Sequence, residues 1–393
     1  MSGKGYKAGL AATAGLALAA VAATPASAAT SWSVLTTPNR GTIANELYGS
    51  AALSATSAWA VGSWYDTARA APRTLIERWN GTSWSTVTSP NATQYYNELH
   101  DVDASTATNA WAVGYANGSA GVNGAPRSAL AMRWNGTSWS VVTTPQPGVN
   151  FRQLYGVKAV SATDAWSVGW YYDTSLHGEA LILHWNGTAW TQVTAPDPGT
   201  SGNTLESVAG TAANDLWAVG YYSNIGEKGV LAHPLAVHYN GTNWVETELP
   251  ESGTGTFLHS VTALSANDVW AVGSKNGYAA PVAYHWNGTA WSEVPTAPTG
   301  GSGNNILYGV SGAAGNVWAV GYSSSAGQSQ PLVQRWNGTA FTSETVPQQP
   351  IGGLLYSVAA TGGPTAFATG TRWDLNEAGS ISDRTLAMRG SGG

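Results

Sequence analysis

The chain of 393 residues contains no cysteine, and only 10% of its residues are charged. Without cysteine it has no disulfide to join its ends and no thiol nucleophile. Lys and Arg total 16 against 22 Asp and Glu, a formal charge of −6, and few of the basic residues cluster. That balance argues against nucleic acid and anionic membrane as partners. Beyond the N-terminal region no apolar stretch is long enough to span a membrane, so no membrane insertion is predicted.

Residues 1–28 are predicted to be a secretory signal peptide. Lys4 and Lys7 precede an uncharged Ala/Leu run that ends in Ala26-Ser27-Ala28, the small-x-small pattern of a cleavage site. An amphipathic anchor is the alternative, although the run is short and rich in alanine. Removal of the two lysines takes the formal charge from −6 to −8. The sequence therefore predicts a secreted, extracellular protein whose mature part is residues 29–393.

Tryptophan and glycine are abundant, with 20 and 48 residues, and they recur in a unit of roughly 50 residues. The third unit has four strand-like parts, here named a to d: QLYGVKAVS, DAWSVGWYY, EALILHW and TAWTQVTAP. Their alternation and their β-branched and aromatic residues predict β-strands. The b-strand signature, typically AWAVG, numbers the units as repeats 1 to 7 and ends at Gly62, Gly114, Gly169, Gly220, Gly273, Gly321 and Gly370.

The hexapeptide WNGTSW at residues 79–84 links strands c and d, and it returns with small changes at Trp134, Trp185, Tyr239, Trp286 and Trp336. Asn-Gly predicts a two-residue type I′ hairpin. In that register Trp79 lies opposite Thr82, and Trp84 lies diagonal to Trp79 on the same face. Asn-Gly-Thr also matches a glycan acceptor, but the turn already explains these residues in every copy.

This hairpin occurs six times against seven b-strand signatures, because the last unit ends after its c strand in TLAMRGSGG. The missing d strand matches ATSWSVLTTP, residues 29–38. The sequence thus predicts an all-β protein, a seven-bladed β-propeller of four-stranded antiparallel blades. Its last blade is split between residues 29–38 and 354–393, and pairing of the N-terminal strand closes the ring and removes exposed edges.

The order DAWAVG, a strand, a tight turn and TxW resembles the blade pattern of bacterial propellers of the sialidase-repeat and photosystem-assembly kind. It departs from their S-x-D-x-G-x-x-W box, because this chain has Trp-Asn-Gly-Thr-x-Trp with a shorter turn. The chain is also similar to exported actinobacterial seven-bladed propellers, some of which look like lectin subunits of larger particles. This resemblance implies the architecture, and a lectin role follows from it by analogy.

A basic residue ends strand c just before the hairpin in every repeat: Arg78, Arg133, His184, His238, His285, Arg335 and Arg389. These seven cations suggest an anion site. A structural role explains them better: each packs on the sheet face opposite the hairpin tryptophans and bonds to the a–b turn, where Asx residues recur at Asn109, Asp164, Asp215, Asp268 and Asn316.

The b–c and d–a connections vary between repeats and share one end of the predicted ring, where binding sites usually lie. Aromatic residues beside Asp or Asn suit sugars, whose C–H faces pack on rings while their hydroxyls bond to polar groups. About half of them could instead continue the blade packing. The predicted ligand-binding residues of the b–c loops are Trp64, Tyr65, Asp66, Tyr115, Trp170, Tyr171, Tyr172, Asp173, Tyr221, Tyr222, Tyr322, Trp373 and Asp374.

A second set follows the repeated leucine of each a strand and is predicted to rim the mouth of the central channel: Tyr48, His100, Tyr155, Glu206, His259, Tyr308 and Tyr356. Two histidines and a glutamate among tyrosines are candidates for ligand contact. They come from separate repeats without ligand spacing, so no metal is predicted. Asp374 opens a stretch similar to a calcium loop, but it lacks ligands at the fifth and twelfth positions, which favours an acidic surface loop. No cofactor is predicted, and calcium is the weaker alternative.

Catalytic motifs are lacking: there is no G-x-S-x-G and no H-E-x-x-H. A sialidase-like site would need converging arginines, for which the candidates are Arg73, Arg127, Arg152, Arg372 and Arg384. A glycosidase would need two carboxylates, and Glu206 with Asp66, Asp173 or Asp374 could supply them. The first hypothesis is a non-enzymatic protein that recognises surface or wall glycan; a protein-interaction scaffold comes second, and a hydrolase or lyase third.

Overall fold

The computed structural model describes residues 31–118, 126–224, 231–299, 303–313, 315–376 and 379–391, and these residues form β-strands joined by turns and loops. The predicted signal peptide lies outside them. Parts of the predicted b–c loops of repeats 2, 4 and 7 also lie outside them. The alternating pattern of the sequence therefore yields strands throughout the described part of the chain.

Each repeat contributes an innermost strand a and then strands b, c and d toward the outside. The a strands are β2 (Asn45–Ser54), β6 (Asn97–Thr106), β10 (Val149–Ser161), β14 (Gly202–Ala212), β18 (Phe257–Ser265), β22 (Asn305–Ala313) and β26 (Gly353–Ala360). The b strands are β3 (Ser57–Asp66), β7 (Asn109–Asn117), β11 (Asp164–Tyr172), β15 (Asp215–Ser223), β19 (Asp268–Lys275), β23 (Asn316–Ser325) and β27 (Thr365–Leu375).

The c strands are β4 (Ala71–Trp79), β8 (Arg127–Trp134), β12 (Gly178–Trp185), β16 (His233–Tyr239), β20 (Ala280–Trp286), β24 (Gln328–Trp336) and β28 (Ile381–Ser391). The d strands are β5 (Trp84–Thr86), β9 (Trp139–Val142), β13 (Trp190–Val193), β17 (Trp244–Glu246), β21 (Trp291–Glu293), β25 (Phe341–Ser343) and β1 (Ser31–Leu35). Most d strands have only three or four residues, which limits edge-to-edge pairing with other chains.

The expectation of seven separate four-stranded blades is wrong. The described strands form five separate four-stranded blades and one eight-stranded sheet. Repeats 3 and 4 share the larger sheet because β12 and β14 make one parallel pair, between Gly178 and Gly202. Two glycines meet there without side chains to separate the backbones, a contact that the repeat pattern does not reveal.

The N-terminal strand β1 pairs antiparallel with β28, from Ser31 opposite Ser391 to Leu35 opposite Ala387. The sheet order is β1-β28-β27-β26, so the two ends of the described chain lie in one sheet. Each a strand contacts the a strand of the next repeat, and β26 contacts β2. The innermost strands therefore close around a central channel without a disulfide.

Apolar side chains fill the space between neighbouring repeats, and the largest contribution comes from aromatic trios. The b-strand Trp59 of repeat 1 lies 5.2 Å from Trp134 and 5.3 Å from Trp139, the hairpin tryptophans of repeat 2. Equivalent trios follow in repeats 2 to 5, and Phe367 of repeat 7 packs against Trp79 and Trp84. Between repeats 6 and 7, Gly390 takes the place of the c-strand ring, and Trp32 shares a cluster with Trp318. The hexapeptide is thus the element that packs one repeat against the one before it.

The hairpin differs from the predicted type I′ turn. Trp79 pairs directly with Trp84, so four residues separate the partners. Gly81 has a positive φ of 101°, whereas Asn80 keeps a negative φ and its Oδ1 accepts hydrogen bonds from the backbone N–H groups of Thr82 and Ser83. The asparagine side chain builds an Asx turn, which replaces the second positive φ that a type I′ turn needs.

The basic residues at the ends of the c strands make structural contacts. His184 stacks on Trp166 at 4.1 Å, and its Nε2 lies 3.0 Å from Asp164 Oδ1. Arg133 lies over Trp111 and donates to Asn109 Oδ1 at 3.2 Å. His is matched with Asp in repeats 3, 4 and 5, and Arg with Asn in repeats 2 and 6. These five side chains join the c strand to the a–b turn, and Arg78 and Arg389 lie over the rings of Trp59 and Phe367.

Candidate functional site: the channel mouth

Each predicted mouth residue occupies a β-bulge in its a strand. In β2 the pairing with β3 shifts between Leu47 and Gly49, which leaves Tyr48 without a cross-strand partner. The same shift occurs in all seven a strands. A bulge kinks the strand and re-aims the extra side chain. The bulge therefore turns seven side chains toward the axis at one end of the channel.

The last glycine of the b-strand signature makes room for this bulge. A Cβ at Gly62 would lie 2.0 Å from the carbonyl oxygen of Glu46, and one at Gly169 would lie 1.9 Å from that of Gln153. Such distances are far inside van der Waals contact, so only glycine fits. The signature found in the sequence is thus a requirement of the geometry that forms the mouth.

The mouth encloses a cavity of about 330 Å³. Six of its seven bulge residues are aromatic, and successive ring centroids lie 5.1 to 5.6 Å apart from Tyr155 through His100, Tyr48, Tyr356 and Tyr308 to His259. Glu206 occupies the remaining place, between Tyr155 and His259 in the order of the repeats. All seven predicted side chains line this one cavity.

The polar groups of the mouth are held by short contacts. Glu206 Oε2 lies 2.6 Å from His259 Nδ1, and the Ser274 hydroxyl lies 3.4 Å from His259 Nε2. The hydroxyl of Tyr155 donates to Gln153 Oε1 at 3.1 Å. The indole Nε1 of Trp170 lies 3.2 Å from the same oxygen. The rings are therefore fixed in place and need little ordering when a ligand binds.

Burial favours the neutral forms of His100 and of the mouth tyrosines. It raises the pKa of Tyr155 to about 12, and the charge of Glu206 adds to the effect. It lowers the pKa of His100 to about 4, with a further contribution from Arg127. The pKa values of Tyr48 and Tyr356 are raised in the same way, by burial and then by Glu46. At neutral pH His100 and the tyrosines are uncharged.

Three carboxylates beside the mouth were not predicted. Glu46 and Glu98 precede the repeated leucine in β2 and β6, and Asp383 lies on β28. The hydroxyl of Tyr48 donates to Glu46 Oε2. The position of Glu46 differs between repeats, with Glu, Gln, Thr, Phe, Ile or Leu in it, and this variation within a repeated strand is a signal that could have found it. Asp383 carries no such signal in the sequence.

The predicted b–c residues divide according to the face of strand b on which they lie. Tyr115, Trp170, Tyr221 and Tyr322 directly follow the signature glycine, and they contact bulge residues or the neighbouring a strand. Tyr172 shares their face and contacts Trp170 at 4.8 Å. These aromatics extend the wall of the mouth outward.

The opposite face of strand b points into the cores between repeats. Trp64, Tyr171 and Tyr222 pack against separate apolar clusters there. Tyr65 and Trp373 have the same spacing from the signature glycine as Tyr172 and so lie on the wall face; Tyr65 donates its backbone N–H to Ala44 O, and the indole of Trp373 bonds to Asp383. The strand period of two thus separates wall residues from core residues, a distinction that proximity in sequence did not make.

The predicted loop carboxylates serve their own loops. Asp66 Oδ1 accepts the N–H of Ala68, Asp173 Oδ1 accepts those of Ser175 and His177, and Asp374 pairs with Arg372 at 3.1 Å. None of the three is among the residues that line the cavity described here. The pairing of Glu206 with any of them as a glycosidase carboxylate pair therefore has no support in the geometry.

The five candidate arginines do not converge. Arg73 donates to carbonyl oxygens of Thr93 and Tyr95, and Arg152 to those of Pro147 and Gly148. Arg384 donates to Gly41 O at 3.2 Å, while Arg372 belongs to the ion pair just described. Arg127 lies over the Tyr115 ring at 4.4 Å, at the edge of the mouth. The arginine cluster that a sialidase-like site would need is not formed by these residues.

Below the mouth the channel continues into a second cavity of about 300 Å³. Asp101 lines both cavities, and its Oδ2 accepts the N–H of Val157 from the next repeat at 2.9 Å. Burial raises the pKa of Asp101 to about 7. Ser207, Ser260 and Ser357 accept the equivalent backbone N–H in their neighbours. These hydrogen bonds join the a strands of neighbouring repeats, so the side chains that line the second cavity have a structural role.

Metal-ligating groups and membrane-spanning helices are both lacking in the part of the chain that the structure describes. Among those residues, no group of three or more His, Asp or Glu side chains is placed to hold a metal ion. Nor do they contain a helix with the length and hydropathy of a membrane span.

Comparison with known proteins places the fold. No protein-family model matches the chain, and a search of curated proteins finds no match. Similar solved structures include YCF48 bound to D1 peptide, with 11% identity and a TM-score of 0.50, covering 91% of this chain and 96% of that one. A protein of unknown function from Dyadobacter fermentans has 12% identity and a TM-score of 0.50, covering 94% and 100%.

A polysaccharide lyase, an ulvan lyase bound to a GlcA–Rha3S unit, has 9% identity and a TM-score of 0.50, covering 88% of this chain and 95% of that one. At these identities the likeness shows the fold alone. The chain has a β-propeller architecture of four-stranded antiparallel units.

Proposed function

We propose that this protein is a secreted, non-enzymatic binding protein that recognises carbohydrate at the channel mouth. The observation that carries the proposal is the single cavity walled by six aromatic rings and Glu206. Rings offer flat apolar faces to the C–H faces of a sugar, while tyrosine hydroxyls and carboxylates hydrogen-bond to its hydroxyl groups.

The size of the cavity favours the end of a saccharide over the middle of a long polymer. Ligand pockets commonly span about 300–1,000 Å³, and this one is near the lower limit. Tyr115, Trp170 and Tyr172 continue the aromatic wall beyond the cavity, where the second sugar of a chain would lie. We therefore expect binding of terminal residues of a surface or wall glycan.

The test is a glycan array that includes bacterial wall polymers, probed with residues 29–393. Tyr356→Ala and Trp170→Ala should each weaken a reproducible hit about tenfold or more, because each removes part of the ring wall. Tyr239→Ala is the control: it removes a tyrosine of the c–d turns, which packs on Trp166 at 4.7 Å. Unchanged binding in both mouth variants would contradict the proposed site.

A protein partner is the second candidate, and one observation favours it. Leu375 and Ile381 pair across the tip of the β27–β28 hairpin with 62% and 64% of their surface exposed. Exposed paired aliphatic side chains are typical of contact sites. If folded protein binds no saccharide, and a partner co-purifies from the native secretome and is lost with Leu375→Ser/Ile381→Ser, this candidate replaces the first.

A hydrolase or lyase is the third candidate, since Glu206 and His259 form an acid–base pair inside the cavity. It requires that a bound glycan be cleaved and that Glu206→Gln abolish cleavage while binding remains. A bound glycan that is recovered intact after long incubation would leave the non-enzymatic proposal in place.

A further inference from the structure

We propose that the mouth selects a saccharide that carries a protonated amino group, that is, a non-acetylated amino sugar. This inference rests on the proposed carbohydrate binding at the same site. It follows from how the mouth combines aromatic rings with carboxylates whose bonding partners are neutral side chains.

The carboxylates stand close to the rings of repeats 1, 2 and 7. Glu46 is bonded by the hydroxyl of Tyr48, Glu98 by that of Tyr115, and Asp383 by the indole of Trp373. Each of these donors is a neutral group that belongs to the aromatic wall. Burial raises the pKa of all three carboxyl groups, and a cation that enters from solvent would favour their charged forms.

The cations near the mouth do not cancel the negative charge of these carboxylates. Arg127 acts on Glu98, but its guanidinium is stacked between Tyr115 at 4.4 Å and Phe151 at 5.4 Å. Arg372 is paired with Asp374, and Arg384 donates to a backbone carbonyl. Glu206 has His259 as its partner on the far side of the ring. The sector of repeats 1, 2 and 7 is therefore net acidic.

The pKa values of the mouth tyrosines reflect the negative charge of the nearby carboxylates. Burial is the main reason why the pKa values of Tyr48, Tyr155 and Tyr356 are raised, and in each case a carboxylate charge raises the pKa further. The charges of Asp383 and Glu98 likewise add to the burial that raises the pKa of Glu46. A cation in the cavity would relieve this repulsion.

The aromatic wall strengthens the same preference. An ammonium group within about 6 Å of a ring centroid is attracted by the ring face. Six rings around one cavity provide such faces on most sides, and they also pack against the C–H faces of the sugar. An amino sugar uses both properties at once, whereas an anionic sugar such as a uronate would be repelled by Glu206 in the cavity and by Glu46 and Glu98 beside it.

The experiment compares two trisaccharides that differ in one group. Binding of the β-1,4-linked glucosamine trimer and of its N-acetylated counterpart to residues 29–393 is measured by isothermal titration calorimetry, with the glucose trimer as a neutral reference. We expect the amine to bind about tenfold or more tightly than either neutral trimer at low salt. The advantage should shrink with added sodium chloride, because screening weakens the charge term.

Two variants test whether the carboxylates are responsible. Glu46→Gln and Glu98→Gln should each weaken the amine about three- to tenfold and leave the neutral trimers unchanged. Glu248→Gln is the matched control, since it removes the same charge from an exposed position whose charge is not among those that act on Tyr48, Tyr155 and Tyr356. Thermal unfolding of each variant checks that the fold is retained.

The outcomes separate this inference from the proposed function. Equal or tighter binding of the acetylated trimer, or equal effects of the control variant, would overturn the selection of an amine while carbohydrate binding stands. A folded protein that binds none of the trimers and no glycan of the array would overturn both.

Discussion

At the scale of single residues, buried polar side chains at equivalent positions have hydrogen-bond partners in one repeat and lack them in another. Gln334 on β24 is fully buried and exchanges two hydrogen bonds with the backbone of Ala297. Glu77 takes the same place on β4, also fully buried, and neither of its side-chain oxygens has a hydrogen-bond partner. The position that corresponds to Ala297, counted from the d-strand tryptophan, is Pro38, which has no N–H to donate.

Replacement of Glu77 by Gln should remove a pH dependence of stability. Burial raises the pKa of Glu77 to about 8 from 4.5. Between pH 4.5 and 8 the unfolded chain loses this proton and the folded chain keeps it, so the free energy of unfolding falls as the pH rises. The accumulated penalty is on the order of a few kcal/mol.

Glu77→Gln should therefore gain stability relative to the parent as the pH is raised through this window, and match it most closely near pH 4.5. Urea unfolding at three pH values measures this, with Glu248→Gln as the exposed control. The same slope in parent and variant would refute the buried carboxyl as its cause.

At the scale of elements, the bulge of each a strand and the glycine of each b strand act together to turn one side chain into the mouth. The bulge turns Tyr155 into the mouth, and Gly169 allows the carbonyl of Gln153 to approach its Cα. The c–d turn shows a similar division of labour, because Asn80 supplies the acceptor and Gly81 the positive φ. Both arrangements recur because every repeat must form the same bulge and the same kind of turn.

Gly169→Ala should lower the free energy of unfolding by about 2 kcal/mol or more and weaken ligand binding. The new Cβ would meet Gln153 O at 1.9 Å, so strand β10 must move and carry Tyr155 and Gln153 with it. Gly363→Ala is the control, since a Cβ there has no atom within 4 Å and the backbone needs no positive φ. Denaturant unfolding and a binding titration report the two effects. Equal stability of both variants would contradict the close-approach argument.

At the scale of the whole molecule, closure replaces the missing disulfides. Strand β1 covers the edge of β28, and Trp32 lies over Gly390, where an added Cβ would sit 2.8 Å from the indole. Trp32 packs in the cluster that also contains Trp318. The strand thus completes both a sheet and a core between repeats.

Deletion of residues 29–38 should open the ring, and a circular permutant should restore it. The deletion exposes the edge of β28 and a core with Met388 and Leu386, so we expect a large loss of stability and aggregation.

In the permutant, a linker with the Asn-Gly-Thr turn joins Ser391 to Ser31, and new termini open at the turn after Asn337. Because Ser31 and Ser391 are paired partners, a short linker suffices. Size-exclusion chromatography and thermal unfolding distinguish the two. A deletion variant that unfolds like the parent would show that closure contributes little.

Local pattern accounts for much of this architecture. The strands, the order a to d within each repeat, the contribution of residues 31–35 to the last sheet and the residues that rim the channel all follow from periods of two and roughly 50 residues. These features repeat, and a repeated chemical requirement is visible in a single chain. The type of the c–d turn was predicted wrongly, because the Asn side chain competes with the backbone for the turn hydrogen bonds.

Other features depend on contacts between residues far apart in the chain, and only the tertiary structure decided them. The parallel pair Gly178–Gly202 merges two repeats into one sheet, so the predicted set of seven separate blades became five blades and an eight-stranded sheet. Asp383 reaches the mouth from β28, and Glu77 lost its partner because a proline stands in a distant connection. The sequence by itself determined which residues each repeat needs in order to fold; which carboxylates and rings share the mouth was decided by closure of the ring, since closure alone sets the distances between repeats.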